Sequence, residues 1–246
     1  MSIRTRLIII LLTFALIPSL FLGALVFQNS SWEVRKNALL SLKYIADVKE
    51  AALLEFLSSK RGRAVDFSTD GYIKESVRLI NSLVSKAEKE RAGRDLAEYL
   101  RVNKRSIDPD LIEIHILDPR GIVISSTDEE FIGKSEADRP YFTEGLKGSY
   151  IQGRGVHVHG GKVHSFMPVS TPVVSGGKTI GVLMNGYSLD IIGQILSGRR
   201  SSLLGATSSV LTAEAGGLDI FIAGEDGLLI TPDGRLKGME AKVFAS

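Results

Sequence analysis

The sequence contains no cysteine, which excludes disulfide bonds, thiolate metal sites and a cysteine nucleophile. Its formal net charge is only +2 and its basic residues are scattered, so we expect no nucleic-acid partner. Beyond residue 27, no apolar run is long enough to cross a membrane. The 246 residues are 44% hydrophobic and 24% charged, a composition typical of a folded chain with one large or two small cores.

One long apolar segment is present, and it lies at the N-terminus, from Leu7 to Phe27. Its 21 uncharged residues would form a helix of about 31 Å, which matches a bilayer core of about 30 Å. Arg4 and Arg6 precede it and Glu33 follows it, so the positive-inside rule predicts a cytoplasmic N-terminus and an extracytoplasmic remainder. A cleaved signal peptide is the alternative, but its apolar region is usually only about 7–15 residues long. We therefore expect a retained anchor in the cell (inner) membrane.

Two helical stretches follow this anchor. From Trp32 to about Arg63, apolar residues recur at helical spacing with polar residues between them, which predicts a long amphipathic stalk helix. Such a helix can pack on the following domain or on its own copy in a dimer, and we expect a homodimer through the stalk. Ser, Thr, Asp and Gly in segment 66–71 interrupt the spacing, and a second helix is predicted from about Tyr72 to Asn103. Its apolar face is formed by Ile73, Val77, Ile80, Val84 and Ala87.

The next part of the chain alternates between apolar and polar residues, as a strand with one buried face does. Residues 111–125 contain the turn Asp118-Pro119-Arg120-Gly121, which predicts a β-hairpin. We expect a short helix after Pro140, a second hairpin around Gly160-Gly161, and a strand followed by a helix within residues 181–196. This order predicts an α+β fold with an antiparallel five-stranded sheet.

The hairpin pattern recurs near the C-terminus, where Ile220 and Ile222 match Ile114 and Ile116. A spacing of about 100 residues is far longer than a solenoid repeat, so we predict two tandem modules, of which only the start of the second is present. The predicted domains are an anchor at residues 1–31, a helical stalk region at 32–110, a first sheet module at 111–200, and a linker with the start of the second module at 201–246.

Several short motifs are specific as a set. They are the segments 66–73 and 116–127, Ile132-Gly133, the segment 138–142 (Asp-Arg-Pro-Tyr-Phe) and the segment 180–184 (Ile-Gly-Val-Leu-Met). With the anchor and the stalk, they resemble the double Cache, PAS-like extracytoplasmic sensor domain of bacterial and archaeal sensor histidine kinases and chemoreceptors. The resemblance implies that the first module is membrane-distal and binds a small molecule, that this region is not an enzyme, and that it serves a signal-transduction receptor.

The resemblance places an Arg-x-aromatic-aromatic ligand-binding motif on Arg139, Tyr141 and Phe142. Independently, a guanidinium offers a planar fork of donors that suits a carboxylate, and aromatic neighbours can enclose the apolar part of a ligand. The alternative is that Arg139 pairs with Asp138 or Glu144 while the two aromatic rings fill the core.

Amino-acid-binding members of this family carry an acidic residue after the last strand, and Tyr187 stands in that place here. We expect Asp190 to lie too far into the following helix to replace it. This departure favours a carboxylate or a neutral polar ligand, with Tyr187 on the far side of the cavity from Arg139.

Three of the four histidines lie in one predicted hairpin. A two-residue turn at Gly160-Gly161 places His157 opposite His164, with His159 on the same face. Three imidazoles can hold Zn²⁺, Ni²⁺ or Cu²⁺, but strand histidines are often simply polar. We predict no metal and no cofactor, with His157 and His164 as polar pocket or surface residues.

The expected function is therefore that of an extracytoplasmic, ligand-binding sensor region. The alternative is a membrane-anchored extracytoplasmic metal-dependent hydrolase that uses the histidine hairpin. Against it, the sequence contains neither Gly-x-Ser-x-Gly nor His-Glu-x-x-His, and no carboxylate flanks the hairpin histidines. A purely structural or protein-binding ectodomain is the third hypothesis, and the absence of a pocket at Arg139 would favour it.

Overall fold

The computed structural model describes residues 3–159 and 162–197. The chain forms two compact units that meet in sequence after Glu50. Helix α1 (Ile3–Thr69) begins in the first unit and ends in the second, which also contains all the strands. The predicted turn at Gly160-Gly161, the linker beyond residue 197 and the start of a second module lie outside the described residues.

Helix α1 is long and apolar enough to cross a bilayer. Phe14, Ile17 and Leu20, in its apolar part, are exposed. Pro18 lies inside the helix without ending it. The sequence predicted the anchor and the stalk as two separate segments. In the structure they are parts of one helix.

The end of α1 explains the polar segment 66–71. The helix continues to Thr69, because the hydroxyls of Ser68 and Thr69 donate to carbonyls three residues earlier and so fit within its last turn. Asp70 then caps helix α2 (Gly71–Ser82), since its carboxylate accepts hydrogen bonds from two backbone N–H groups of the first turn.

The second predicted helix is divided into two. Helix α2 ends at Ser82, and helix α3 (Lys86–Asn103) begins only after Leu83, whose backbone is extended, and two further residues. Val84 is 97% exposed and Ala87 is exposed as well, so neither continues the buried face of α2. The prediction was wrong here because Val84 keeps the helical spacing although the backbone has already left the helix.

One antiparallel sheet follows the helices. Its strands are β1 (Leu111–Leu117), β2 (Val123–Ser126), β3 (Tyr150–Ile151), β4 (Gly155–His159), β5 (Lys162–Ser175) and β6 (Lys178–Ser188). The order across the sheet is β2-β1-β6-β5-β3, and β4 also pairs with β5. Because β3 and β4 pair with successive parts of the same edge of β5, the sheet has five strand positions, and the α+β prediction is confirmed.

Two short helices flank the sheet, and both were expected: α4 (Pro140–Gly145) and α5 (Asp190–Leu196). Side chains alternate between the two faces of the sheet. Along β6, Leu183 and Tyr187 contact a core shared with α1, α2 and α3, whereas Val182 and Met184 contact a core shared with α4. We call the second side the α4 face.

Candidate ligand-binding site

A small cavity lies on the α4 face of the sheet. Its volume of about 40 Å³ has room for roughly three water molecules, and it is smaller than most ligand pockets, which measure about 300–1,000 Å³. Two phenylalanines, Phe131 and Phe166, supply apolar wall. The polar residues in the wall are His115, Glu136, Arg139, Tyr141, Gln152 and His157.

Helix α4 positions Arg139 and Tyr141 at this cavity. Pro140 occupies the first helical position, where its missing N–H costs no hydrogen bond, and Arg139 precedes it with an extended backbone. Glu136 Oε2 accepts hydrogen bonds from Arg139 Nε at 2.8 Å and from Tyr141 Oη at 3.1 Å. Burial, with the charge of Glu136 second, raises the pKa of Tyr141, so its hydroxyl keeps its proton.

The partner of Arg139 is thus Glu136 rather than Asp138 or Glu144. The Arg139 side chain is 49% exposed, and among the described residues no hydrogen bond engages its two terminal amino groups. These groups remain available to a carboxylate at the mouth of the cavity. Phe142 is buried in the apolar core beneath α4 and does not line the cavity.

His115 lies deepest in the polar wall. It is 1% exposed, and neither ring nitrogen has a hydrogen-bond partner within the described part of the chain. Burial, and secondarily the neighbouring His157, lowers the pKa of His115 to about 3, so the imidazole is neutral at physiological pH. Buried polar atoms normally have partners, so an unpartnered imidazole beside a cavity indicates a missing hydrogen-bonding group.

Glu113 stands behind this wall, two residues before His115 on β1. It is 4% exposed, and its Oε1 has no hydrogen-bond partner among the described residues. Oε1 lies 3.4 Å from His157 Nδ1, and Oε2 lies 3.7 Å from His115 Nε2. Burial raises the pKa of Glu113 to about 8, with smaller contributions from the negative charges of Asp128 and Glu136.

Of the two hairpin imidazoles that the structure describes, only that of His157 lies at the cavity. The register pairs His157 with His164, as predicted. His157 lines the cavity, and its ring centroid lies 4.9 Å from that of Phe131 and 4.7 Å from that of Phe166. His164 is exposed and does not line the cavity, with its ring centroid 6.0 Å from that of His157. The side chain of His159 lies outside the described side chains.

The chain is similar to several solved structures at low sequence identity. No protein-family model and no curated protein matches the chain. Among solved structures, the sensor domain of the V. cholerae histidine kinase DctB is 18% identical with a TM-score of 0.48, covering 63% of this chain and 57% of that one. The ligand-binding domain of the Pseudomonas fluorescens chemoreceptor CtaA, in complex with L-serine, is 15% identical with a TM-score of 0.49, covering 77% and 69%. The sensory domain of the Campylobacter jejuni chemoreceptor Tlp3, with isoleucine bound, is 14% identical with a TM-score of 0.42, covering 62% and 60%.

The chain resembles the double Cache sensor domains. The resemblance rests on the sequence motifs together with the observed order of helices and strands. The chain spans less than two thirds of the DctB and Tlp3 sensor domains.

Tyr187 does not share the cavity with Arg139. Strand alternation turns it to the helix-facing side of the sheet, where Lys60 Nζ lies 4.9 Å from its ring centroid and Asn185 Nδ2 lies 3.4 Å from its hydroxyl. Asp190 is exposed at the start of α5, so neither residue supplies an acid to the cavity.

The buried acidic residue behind the cavity wall is Glu113 on the first strand, β1, and not a residue after the last strand. The sequence did not predict it. Glu113 alternates with isoleucines and therefore has the pattern of a solvent-facing residue, but α4 and the β4–β5 hairpin cover that face. One local signal is Gly186, directly opposite Glu113, where an added Cβ would lie only 2.6 Å from Glu113 Cγ. A glycine inside a strand can indicate the close approach of another group.

Proposed function

We propose that the chain is the extracytoplasmic, ligand-binding sensor region of a membrane-anchored signal-transduction receptor, and that the cavity on the α4 face binds a small carboxylate. The observation that carries this proposal is His115, a buried imidazole in the cavity wall with both nitrogens unpartnered among the described residues. A bound molecule supplies the missing partner.

The charges around the cavity favour a carboxylate over other small ligands. Arg139 presents two terminal amino groups at the mouth, and the hydroxyl of Tyr141 is a protonated donor. Phe131 and Phe166 provide apolar surface for a short hydrocarbon part. Because the cavity has room for only a few non-hydrogen atoms, the ligand is small, or the β4–β5 hairpin moves outward to admit a larger one.

Helix α1 carries the anchoring part of the proposal. Its apolar N-terminal segment crosses the inner membrane, with Arg4 on the cytoplasmic side, and the sheet module stands outside. Leu39, Leu40 and Leu42 are exposed on the stalk part of the helix, which is the surface we assign to homodimer formation. The output region of the receptor, such as a histidine kinase, lies on the cytoplasmic side.

A thermal-shift screen of the full chain in detergent tests this function. We expect at least one organic acid of two to about five carbon atoms to raise the unfolding temperature of the sheet module, because a ligand that binds only the folded state stabilises it. Neutral polar molecules of the same size are the matched comparison. If no acid raises the unfolding temperature while a neutral molecule does, the carboxylate assignment is wrong, and if nothing does, the binding function is wrong.

A further inference from the structure

We infer that Glu113 and His157 share one proton, and that this proton passes from the carboxyl group to the imidazole when an anion enters the cavity. The inference has two halves, the shared proton and its transfer. It deepens the proposed function, because the transfer requires the proposed carboxylate ligand. It assigns to Glu113 a role as a positioning and proton-donating residue behind the wall, and to His157 a role as the residue that faces the anion.

The geometry places the two groups side by side with little else to satisfy the carboxyl. Glu113 Oε1 lies 3.4 Å from His157 Nδ1 and makes no hydrogen bond within the described residues. Gly186 leaves the space that the Glu113 side chain occupies over strand β6 on the α4 face. A shift of a few tenths of an ångström brings the two atoms to ordinary hydrogen-bond length.

Apart from His157, the charges that surround Glu113 supply no close counter-ion. On its own strand, His115 is neutral and lies 3.7 Å from Oε2. Asp128 and Glu136 are negative and disfavour ionisation of Glu113, Arg105 favours it only weakly, and Tyr141 is protonated. A buried carboxyl without a paired cation keeps its proton, so Glu113 is neutral in the empty site.

Binding of an anion changes which position of the shared proton is more stable, on Glu113 or on His157. The Glu113 O–H bond breaks and an N–H bond forms at His157 Nδ1, which leaves a carboxylate and an imidazolium in contact and no change in total charge. His157 lines the cavity, so its imidazolium then presents a positive charge to the anion. Glu136 already pairs with Arg139, so the transfer places a second positive group, on His157, in the wall of the cavity.

The pH dependence follows from the proton count. Below pH 8 the empty site already holds the proton, so binding neither takes up nor releases one. Above pH 8 Glu113 has lost it, and binding must take one proton up from solution. We therefore expect the affinity for an anion to be about tenfold weaker at pH 9 than at pH 7.

The ligand-free chain of residues 1–246 tests the first half of the inference. Infrared spectroscopy at pH 7 should show a protonated-carboxyl band that Glu113→Gln removes and that Glu144→Gln, which alters a carboxylate paired with Lys147 outside the cavity, leaves in place. Nitrogen-15 NMR of the four histidines should show the His157 Nδ1 resonance shifted by Glu113→Gln. If the Glu113→Gln difference spectrum lacks the band, or His157 is unaffected, the shared proton is overturned.

Acetate is the probe for the second half, chosen because it fits a cavity of this size. Calorimetry at pH 7 and pH 9, in two buffers of different ionisation enthalpy, should show no proton uptake at pH 7 and uptake of about one proton at pH 9. In Glu113→Gln, acetate should bind more weakly and without this pH dependence. Absence of acetate binding, or the same pH dependence in Glu113→Gln, overturns the transfer. The shared proton and the proposed function fail separately, since the infrared band needs no ligand and the organic-acid screen does not depend on Glu113.

Discussion

At the residue scale, two side chains show how local chemistry decides position. Glu113 is buried beside Gly186, where a larger residue would clash with it, and burial raises its pKa. Asp70 is the opposite case, a carboxylate surrounded by donors. It accepts hydrogen bonds from the N-terminal turn of α2, from Tyr99 Oη at 3.0 Å and from Lys104 Nζ at 2.7 Å.

Asp70→Ala should destabilise the sheet module by about 1–2 kcal/mol, because the helix loses its cap and Lys104 loses its partner. Asp70→Asn keeps the cap and should cost less. Thermal unfolding of the two variants at pH 7 makes the comparison, and an Asp70→Ala protein as stable as wild type would contradict it.

The pH dependence of the same site has a definite sign. Burial of Asp70 raises its pKa, but the hydrogen bonds from Lys104, Ile73 N–H and Tyr99 together outweigh this effect, so the pKa is lowered overall. The charged form therefore contributes stability above the ordinary aspartate pKa, and that stability is lost as pH falls through the lower folded value. The stability difference between wild type and Asp70→Asn should accordingly shrink in acid.

At the scale of elements, a buried cluster of ion pairs connects α1 to the start of strand β1. Lys60 Nζ lies 2.8 Å from Asp108 Oδ1 and 2.9 Å from Asp110 Oδ2, just before β1 begins, and it also stacks over the ring of Tyr187. The Lys60 side chain is only 9% exposed. Removing one partner of a buried ion pair leaves an uncompensated charge, which is more costly than losing an exposed pair.

Lys60→Ala should therefore destabilise the sheet module by about 3–5 kcal/mol. Arg61→Ala is the matched control, since Arg61 is the next residue on α1 and is exposed, and it should change stability by less than about 0.5 kcal/mol. Denaturant unfolding of both variants measures the two losses in free energy of unfolding. Equal losses in the two would show that the Lys60 cluster contributes nothing beyond an ordinary surface cation.

The elements also show where sequence reasoning reaches its limit. The first hairpin, the helix after Pro140 and the pairing of His157 with His164 are local features, and period and turn chemistry predicted them. The break after Ser82 and the burial of Glu113 depend on which distant elements cover a face, and spacing along the chain contains no such information. The same reason explains Tyr187, whose orientation depends on the alternation of β6 within the assembled sheet.

At the scale of the whole molecule, two adjacent residues of β6 connect the cavity to the stalk helix. Gly186 packs against Glu113 on the α4 face, and Tyr187 packs against Lys60 of α1 on the other. We propose that a ligand that shifts β6 on one face acts on α1 through the other. In our proposal, this short connection transmits binding to the helix that leads toward the membrane.

The central claim is that a small carboxylate binds at Arg139, and calorimetry with the acid found by the screen tests it most directly. Charge-assisted hydrogen bonds are worth about 1.5–3 kcal/mol, so Arg139→Ala should bind about ten- to two-hundredfold more weakly, and Arg139→Lys should recover part of the loss. Arg120→Ala, which removes an exposed arginine paired with Asp118 outside the cavity wall, should bind as the wild type does. A folded Arg139→Ala protein with unchanged affinity would contradict the account.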